Sequence, residues 1–489
     1  MILTDQASAV IAKSQEIFAS SPAILESINL IEQRLEGPLR VAIAGKVKAG
    51  KSTLMNALVG ERLAATDVGE CTKVVTWYLD GHTYQVMLNP KDGSAPVQAR
   101  FHRDEGALDI DLGGRPSTEI DRIEVTWPSK TLRQLTLIDT PGIDSLTESI
   151  GTRAFEFLDP EDRATPADAV LYLMRHIHGS DLRLLEAFHD DSMAEPNPVN
   201  TVAVLSRADE IGAGRLDSMA SSRRIAKRLG ADRRLKRLVQ VIVPVAGLLA
   251  ETAASLTEWE YKALRELASV PPKSLEPHLL SADRFISASP EIPLTSLERE
   301  ELLGRFGLFG IRLSLAMLRR NVVESSAELA AELGVRSGVS ELLDLLTTLF
   351  VERTDVLKAR SALLAIETIC TDNSQIVGSQ DLLLSIEETL AGAHPFAELR
   401  TIAELRSDQI AGSDEDVADL ERTLGSSGTM SSTRLGIDDS ASASDIRDAA
   451  ITQLGRWQRL IENPFTSQDL ATAARVAVRS LEGILAVGQ

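Results

Sequence analysis

The segment Gly45-Lys46-Val47-Lys48-Ala49-Gly50-Lys51-Ser52 decides the fold. It fits the pattern GxxxxGK[ST], and its flanks supply the context that pattern needs. Before it, Leu39-Arg40-Val41-Ala42-Ile43-Ala44 reads as a buried parallel strand. After it, Thr53-Leu54-Met55-Asn56-Ala57-Leu58 reads as a helix. Gly45 and Gly50 let the backbone wrap phosphates with its N–H groups inward, and the helix N-terminus adds a favourable dipole. The Lys51 ammonium can then reach the β- and γ-phosphates while the Ser52 hydroxyl ligates Mg2+. Val47, Lys48, Ala49 and Thr53 belong to the same cradle. The bland alternative is a chance glycine loop, and the strand–loop–helix context argues against it.

Further short apolar runs continue the pattern at Leu135 to Ile138, Ala169 to Met174, Thr201 to Leu205 and Val239 to Val243. Helical periodicities separate most of them, which is the signature of an α/β domain with a largely parallel sheet. Residues 72 to 127 read instead as antiparallel strands inserted into it. Asp139-Thr140-Pro141-Gly142 follows the run at 135 directly. A carboxylate there can hold the Mg2+ shell, and the Gly142 N–H can sense a γ-phosphate. After the run at 201 comes Ser206-Arg207-Ala208-Asp209, where GTPases carry [NT]-K-x-D. Asp209 is placed to accept hydrogen bonds from guanine, with Arg207 over the base, although Ser and Arg both depart from the common pattern. Asp209 as an N-cap of the following segment is the competing reading. Thr66 and Thr72 are both candidates for the threonine that closes over Mg2+ and the γ-phosphate. Thr72 is favoured because an extended run, Lys73 to Trp77, follows it. A loop around Ala246-Gly247 is the candidate for the other side of the base.

The chain has 489 residues and a net charge of -20, which disfavours nucleic acid and anionic lipid as bulk partners and leaves only local basic patches for such contacts. Cys71 and Cys370 suggest no disulfide framework, and a reducing cytosol is the simplest setting. The N-terminus lacks the pattern of a signal peptide. No apolar run approaches the ~20 residues of a membrane-spanning helix, so any membrane is expected to be met from the side.

Residues 1–37 read as N-terminal helices, 38–255 as the nucleotide domain and 256–489 as an all-α bundle. Within the bundle a heptad seam runs through Leu342, Leu345, Leu349, Val356, Ala359, Leu363, Ile366 and Cys370, interrupted by Glu352. Read as one helix it would extend roughly 40 Å. A bundle core is the plain reading of the seam, and an intermolecular coiled coil is the sharper one. The polar stretch from Gly425 to Ser444 reads as a flexible connection. His176 and His178 share a strand face but lack a third metal ligand. The basic run from Arg223 to Arg237 reads as a solvated helix face or as a patch for anions.

With these elements in order, the chain resembles the bacterial dynamin-like proteins. The string from Ala49 to Gly60 is similar to their phosphate loop and first helix. Ser206 to Arg215 and Arg305 to Arg312 resemble more closely the isoniazid-inducible dynamin-like proteins of actinobacteria, the IniC and IniA type, and the length suits the shorter, IniC-like member. The resemblance implies a GTPase head on a helical neck and trunk, with GTP and Mg2+ as ligands. It also implies nucleotide-dependent head pairing, a possible paralogous partner, and membrane remodelling at the cytoplasmic face of the plasma membrane. Dynamins often place Gln and Ser where this chain has Val47 and Lys48, and that Ser helps hold a monovalent cation. The Lys48 ammonium can supply the charge itself, or it can simply face solvent. Two other functions stay open: a GTP-binding structural partner of a longer paralogue with little turnover, and a soluble regulatory GTPase. No RNA-binding appendage accompanies the acidic helical half, which disfavours nucleic acid as partner.

Overall fold

The computed structural model describes residues 3–64, 74–104, 107–141, 166–175, 185, 200–406 and 409–487. The strands are β1 (Leu39–Gly45), β2 (Val75–Leu79), β3 (Gln85–Pro90), β4 (Val97–Gln98), β5 (Arg100–Asp104), β6 (Ala107–Asp111), β7 (Ile120–Thr126), β8 (Leu135–Asp139), β9 (Ala169–Met174), β10 (Thr201–Ser206) and β11 (Val241–Val245). Nine of them form one sheet in the order β11-β10-β9-β1-β8-β2-β7-β3-β4, and β5 pairs with β6 in a separate hairpin. The pairs from β11 to β8 are all parallel. Such strands are covered on both faces and so read as unbroken apolar runs. Successive side chains still alternate: Val41 and Ile43 join one core, while Ala42 and Ala44 join the core on the other face.

Two details depart from the sequence reading. The inserted region is mixed, because β2 runs antiparallel to β8 but parallel to β7. The last strand starts at Val241, not Val239. The Val239 N–H still donates to the Leu235 carbonyl at 2.8 Å, so the chain is in its turn as far as Val239.

Helices α1 (Leu3–Ile17) and α2 (Pro22–Glu36) precede the sheet, and α3 (Lys51–Val59) follows the glycine loop. Then come α4 (Ser218–Gly230), α5 (Arg233–Lys236), α6 (Gly247–Ala254), α7 (Glu258–Ser269) and α8 (Ser296–Arg319). Helices α6 to α8 share a core around Leu249, Leu264 and Phe306. The chain continues as α9 (Ser326–Ser337), α10 (Val339–Leu349), α11 (Thr354–Asp372), α12 (Ser379–Gly392), α13 (His394–Arg406), α14 (Asp414–Thr423), α15 (Ala443–Glu462) and α16 (Gln468–Val487). Helices α1 and α2 pack on α11, so the N-terminal helices share a bundle with helices that follow the sheet. The buried Arg34 guanidinium at the end of α2 donates from Nε to Asp168 Oδ1 at 2.9 Å, just before β9.

The heptad seam does not form a single helix. A 3-10 turn at Val351–Arg353 separates α10 from α11. Phe350 is fully buried there, and the Arg353 guanidinium is drawn into the interior to donate to the Gly425 carbonyl. Glu352, the residue that interrupts the seam, accepts from the Thr429 N–H at 3.2 Å. The seam residues themselves lie in an intramolecular core, as in a bundle. The same contacts show that 425–444 is no free connection: it carries a short helix, Ser431–Leu435, and buries Ser426 and Leu435.

Removing the Phe350 ring should therefore be costly. Phe350→Ala is expected to destabilise by ~3–5 kcal/mol, whereas Leu384→Ala on an exposed face should stay within ~0.5 kcal/mol. Urea denaturation of both variants beside the wild type checks the contrast.

Candidate functional site

The site lies at the C-terminal edge of the parallel strands, where a β–loop–α unit turns its backbone amides outward. Gly45 ends β1 with φ +148, and a Cβ there would stand 2.6 Å from the Leu173 carbonyl oxygen of β9. Only glycine allows that approach. Helix α3 then starts at Lys51. The Lys51 ammonium is buried and reaches back to the carbonyls of Gly45 and Lys46, at 3.3 and 3.4 Å. Burial lowers its pKa, while the nearby Asp139 carboxylate opposes that shift.

Strand β8 brings Asp139 beside this loop, and the Ser52 hydroxyl donates to Asp139 Oδ2 at 3.2 Å. The other carboxylate oxygen, Oδ1, is buried with no hydrogen-bond partner among the described residues. Burial raises the Asp139 carboxyl to about 6, against the pull of Lys51 and the Ser52 hydroxyl. A hydroxyl and a buried carboxylate with a spare oxygen are the donor set a hard divalent cation takes, so the residues present fit Mg2+. Thr140 is tied back to β1 through its hydroxyl, which donates to the Ile43 carbonyl at 3.0 Å.

Strand β10 delivers the third element. Asp209 is 7% exposed and sits inside a 3-10 turn, Ala208–Glu210, so it caps no helix. Burial is the largest influence on its carboxyl and raises it to about 6; Glu210 adds to the rise, while its own backbone N–H and Arg207 oppose it. The Arg207 guanidinium donates to the Lys48 carbonyl at 3.1 Å and to Glu210 at 2.8 Å. It thus clips the Asp209 turn to the glycine loop. Arg175, at the end of β9, holds the other Glu210 oxygen at 2.6 Å. Lys48 adopts φ +60 with its side chain exposed, as is that of Val47.

These elements enclose a cavity of about 590 Å³, counting its open mouth. Ala49, Gly50 and Thr53 form one wall, Arg207 and Asp209 another, and Gly247 with Leu248 a third. Thr66, Thr72, Gly142, Cys71, His176 and His178 lie outside the described residues. Among the described residues no cluster of three or more metal-ligating side chains occurs.

Sequence reasoning missed Leu173, Val204, Val245 and Leu248 as lining residues. The first three are at or near the C-terminal ends of parallel strands, which is the signal that could have found them. It also missed how the two longer strings meet. Helix α8 is broken at Gly307, with φ +59, and a Cβ there would lie 3.8 Å from Asp209 Oδ2. The Arg312 guanidinium donates to the Ala213 carbonyl at 2.8 Å. Residues 206–215 and 305–312 are therefore one local structure beside the pocket.

Fold and site together define a P-loop domain of the GTPase class. The profile described as Dynamin family matches residues 41–206. The chain belongs to the dynamin family and is most simply placed among its bacterial members. It is 37% identical to the isoniazid-induced protein IniC of Mycobacterium tuberculosis over 99% of both chains. The isoniazid-induced protein IniA of the same organism is 33% identical over 25% of this chain and 20% of its own length. A bacterial dynamin-like protein of Nostoc punctiforme is 28% identical over 31% of this chain and 22% of its own. A solved oligomerised bacterial dynamin pair, described as sensing and tethering membranes, covers 99% of this chain and 79% of its own at 14% identity. Its TM-score is 0.30.

The Asp209 carboxyl gives a sign that can be checked. A carboxyl that reads a guanine edge must be ionised to accept from it, and the raised pKa of Asp209 means that it protonates as pH falls through about 6. GDP affinity, followed with a fluorescent analogue, should weaken between pH 7.5 and 5.5. Asp209→Asn should lower GDP affinity at pH 7.5 by ~1.5–3 kcal/mol, about 10- to 150-fold. The same variant should raise the unfolding midpoint of the nucleotide-free protein at that pH, because a buried charge that disfavours the fold has been removed.

Proposed function

We propose that this protein hydrolyses GTP and uses the cycle to move a helical neck and trunk against a membrane surface. The observation that supports this most is a cavity with Arg207 and Asp209 on one wall and Ala49, Gly50 and Thr53 on another, because the second wall belongs to the loop and helix start that carry Ser52 and its partner Asp139. Lys51 binds the β- and γ-phosphates. Ser52 and Asp139, with Thr72, hold Mg2+, which when bound neutralises the charge on the phosphate oxygens. The loop amides of Val47, Ala49 and Gly50 orient the phosphates, Gly142 senses the terminal one, and Arg207 and Asp209 hold the base. Lys48 stands exposed on the loop rim, where its ammonium takes the place of a monovalent cation.

The three parts are residues 1–37 and 256–489 as neck and trunk, and 38–255 as head. Pairing of two heads across the nucleotide, with a second copy or a paralogous chain, completes the catalytic surroundings. The trunk meets lipid peripherally at the inner face of the plasma membrane. Among the described residues no helix is long and apolar enough to cross a membrane. The departure of Ser206-Arg207-Ala208-Asp209 from the common guanine motif favours a second reading, a nucleotide-holding structural partner with little turnover.

Phosphate release from GTP and ATP, with and without anionic liposomes, tests the reading. GTP-selective turnover that rises with liposomes and vanishes in Lys51→Ala is expected. Binding without turnover would favour the structural partner, and lipid-indifferent turnover a soluble regulatory GTPase. In Lys48→Ser, turnover should become dependent on potassium, where the wild type works equally in sodium.

A further inference from the structure

Strand β11 has two ends. Val245 lines the nucleotide pocket, while Val241 opens onto a second cavity of about 470 Å³, shared between the sheet edge and the helical half of the chain. Val239 and Ile242 wall it on the head side, with Lys236 at the end of α5. Arg406, the last residue of α13, and Glu421 of α14 face them from the other side.

Gln240 stands between the two halves. Its N–H donates to the Thr201 carbonyl at 2.8 Å, and its own carbonyl accepts from Arg406 Nη1 at 2.7 Å. Gln240 is among the residues lining the cavity, it is 8% exposed, and neither its Oε1 nor its Nε2 has a partner among the described residues. A buried amide offers one acceptor and two donors, which folded proteins rarely leave unmatched. The charges around it do not cancel. Arg406 spends its guanidinium on the Gln240 carbonyl and, at 3.4 Å, on Glu421. Lys236 is half-buried and has no ion-pair partner among the described residues. The cavity therefore presents surplus positive charge next to an idle amide, between walls of mixed character in which Val239, Val241 and Ile242 are the apolar part.

We propose that this cavity binds a small anion, a carboxylate or a phosphate ester, that carries a hydrogen-bonding edge. The edge pairs with the Gln240 amide, and the anionic group meets Lys236 with Arg406 beside it. Because the walls come from the sheet edge and from α13 and α14, an occupant bridges head and trunk. Its binding is worth more where the two stay docked. The site is separate from the nucleotide pocket and stands whether or not the chain hydrolyses GTP.

Isothermal titration of the full chain with succinamate, a carboxylate with a primary amide, and separately with inorganic phosphate tests the site. Saturable binding of at least one probe is expected, weakened tenfold or more in both Lys236→Gln and Gln240→Leu, with GDP affinity unchanged. Gln240→Glu keeps the shape and adds a repelling charge, so it should show the same loss and serves if the leucine variant fails to fold. No saturable binding of either probe would overturn the proposal. So would binding that survives the Gln240 variants, because the amide would then be idle, or binding that survives Lys236→Gln.

Discussion

Two carboxylates must be held ionised in the interior at the same edge of one sheet, and much of the structure follows from that constraint. Asp139 and Asp209 end β8 or follow β10, and burial pushes both to about 6. At neutral pH each carries a charge that its surroundings only partly offset. Lys51 and Ser52 stand beside the first, and Arg207 near the second. Carboxylates perturbed by burial in this way cluster at functional sites. A cavity opens between Asp209 and the glycine loop, walled there by Ala49, Gly50 and Thr53. Parallel pairing makes the geometry possible, because it stacks the strand ends in register: Ile43 lies opposite Asp139, and Gly45 opposite Leu173.

The helical half is built onto this edge at more than one point. Beside Asp209, α8 breaks at Gly307, and the Arg305 guanidinium in the same stretch pairs with Glu260 of α7 at 2.8 Å. The Thr252 hydroxyl of α6 donates to the Arg305 carbonyl. On the opposite strand ends, Arg34 of α2 meets Asp168, whose other oxygen accepts from the Arg40 N–H at 2.9 Å. The Lys358 ammonium of α11 donates to the Gly37 carbonyl. The Asp209 end of the pocket and the start of β1 are thus each held by polar contacts to the helical parts of the chain.

Much of the head was legible because its signals are local. Glycines at fixed spacing, a strand before them and a helix after them leave few alternatives, and the carboxylates follow apolar runs whose burial shows in composition. The trunk was less legible for the opposite reason. The heptad from Leu342 to Cys370 is real as a buried seam, but periodicity does not register Phe350 and Arg353, whose distant partners break the helix. The Gly- and Ser-rich stretch near Gly425 looks free until Arg353 and Glu352 are seen to hold it. Gly307 read as one residue of a resemblance; its left-handed backbone and its nearness to Asp209 depend on tertiary contacts that no window of sequence contains.

The central claim is that the Asp209 end of the cavity reads guanine. Equilibrium competition between GDP and ADP for the wild-type chain at pH 8 tests it most directly. The account expects GDP to bind at least ~100-fold more tightly, because a buried carboxylate left facing the adenine N1 lone pair and C2–H loses the donors that guanine N1 and its C2 amino group supply. Equal affinity for the two nucleotides would contradict it and would leave the cavity as a phosphate site without a base preference.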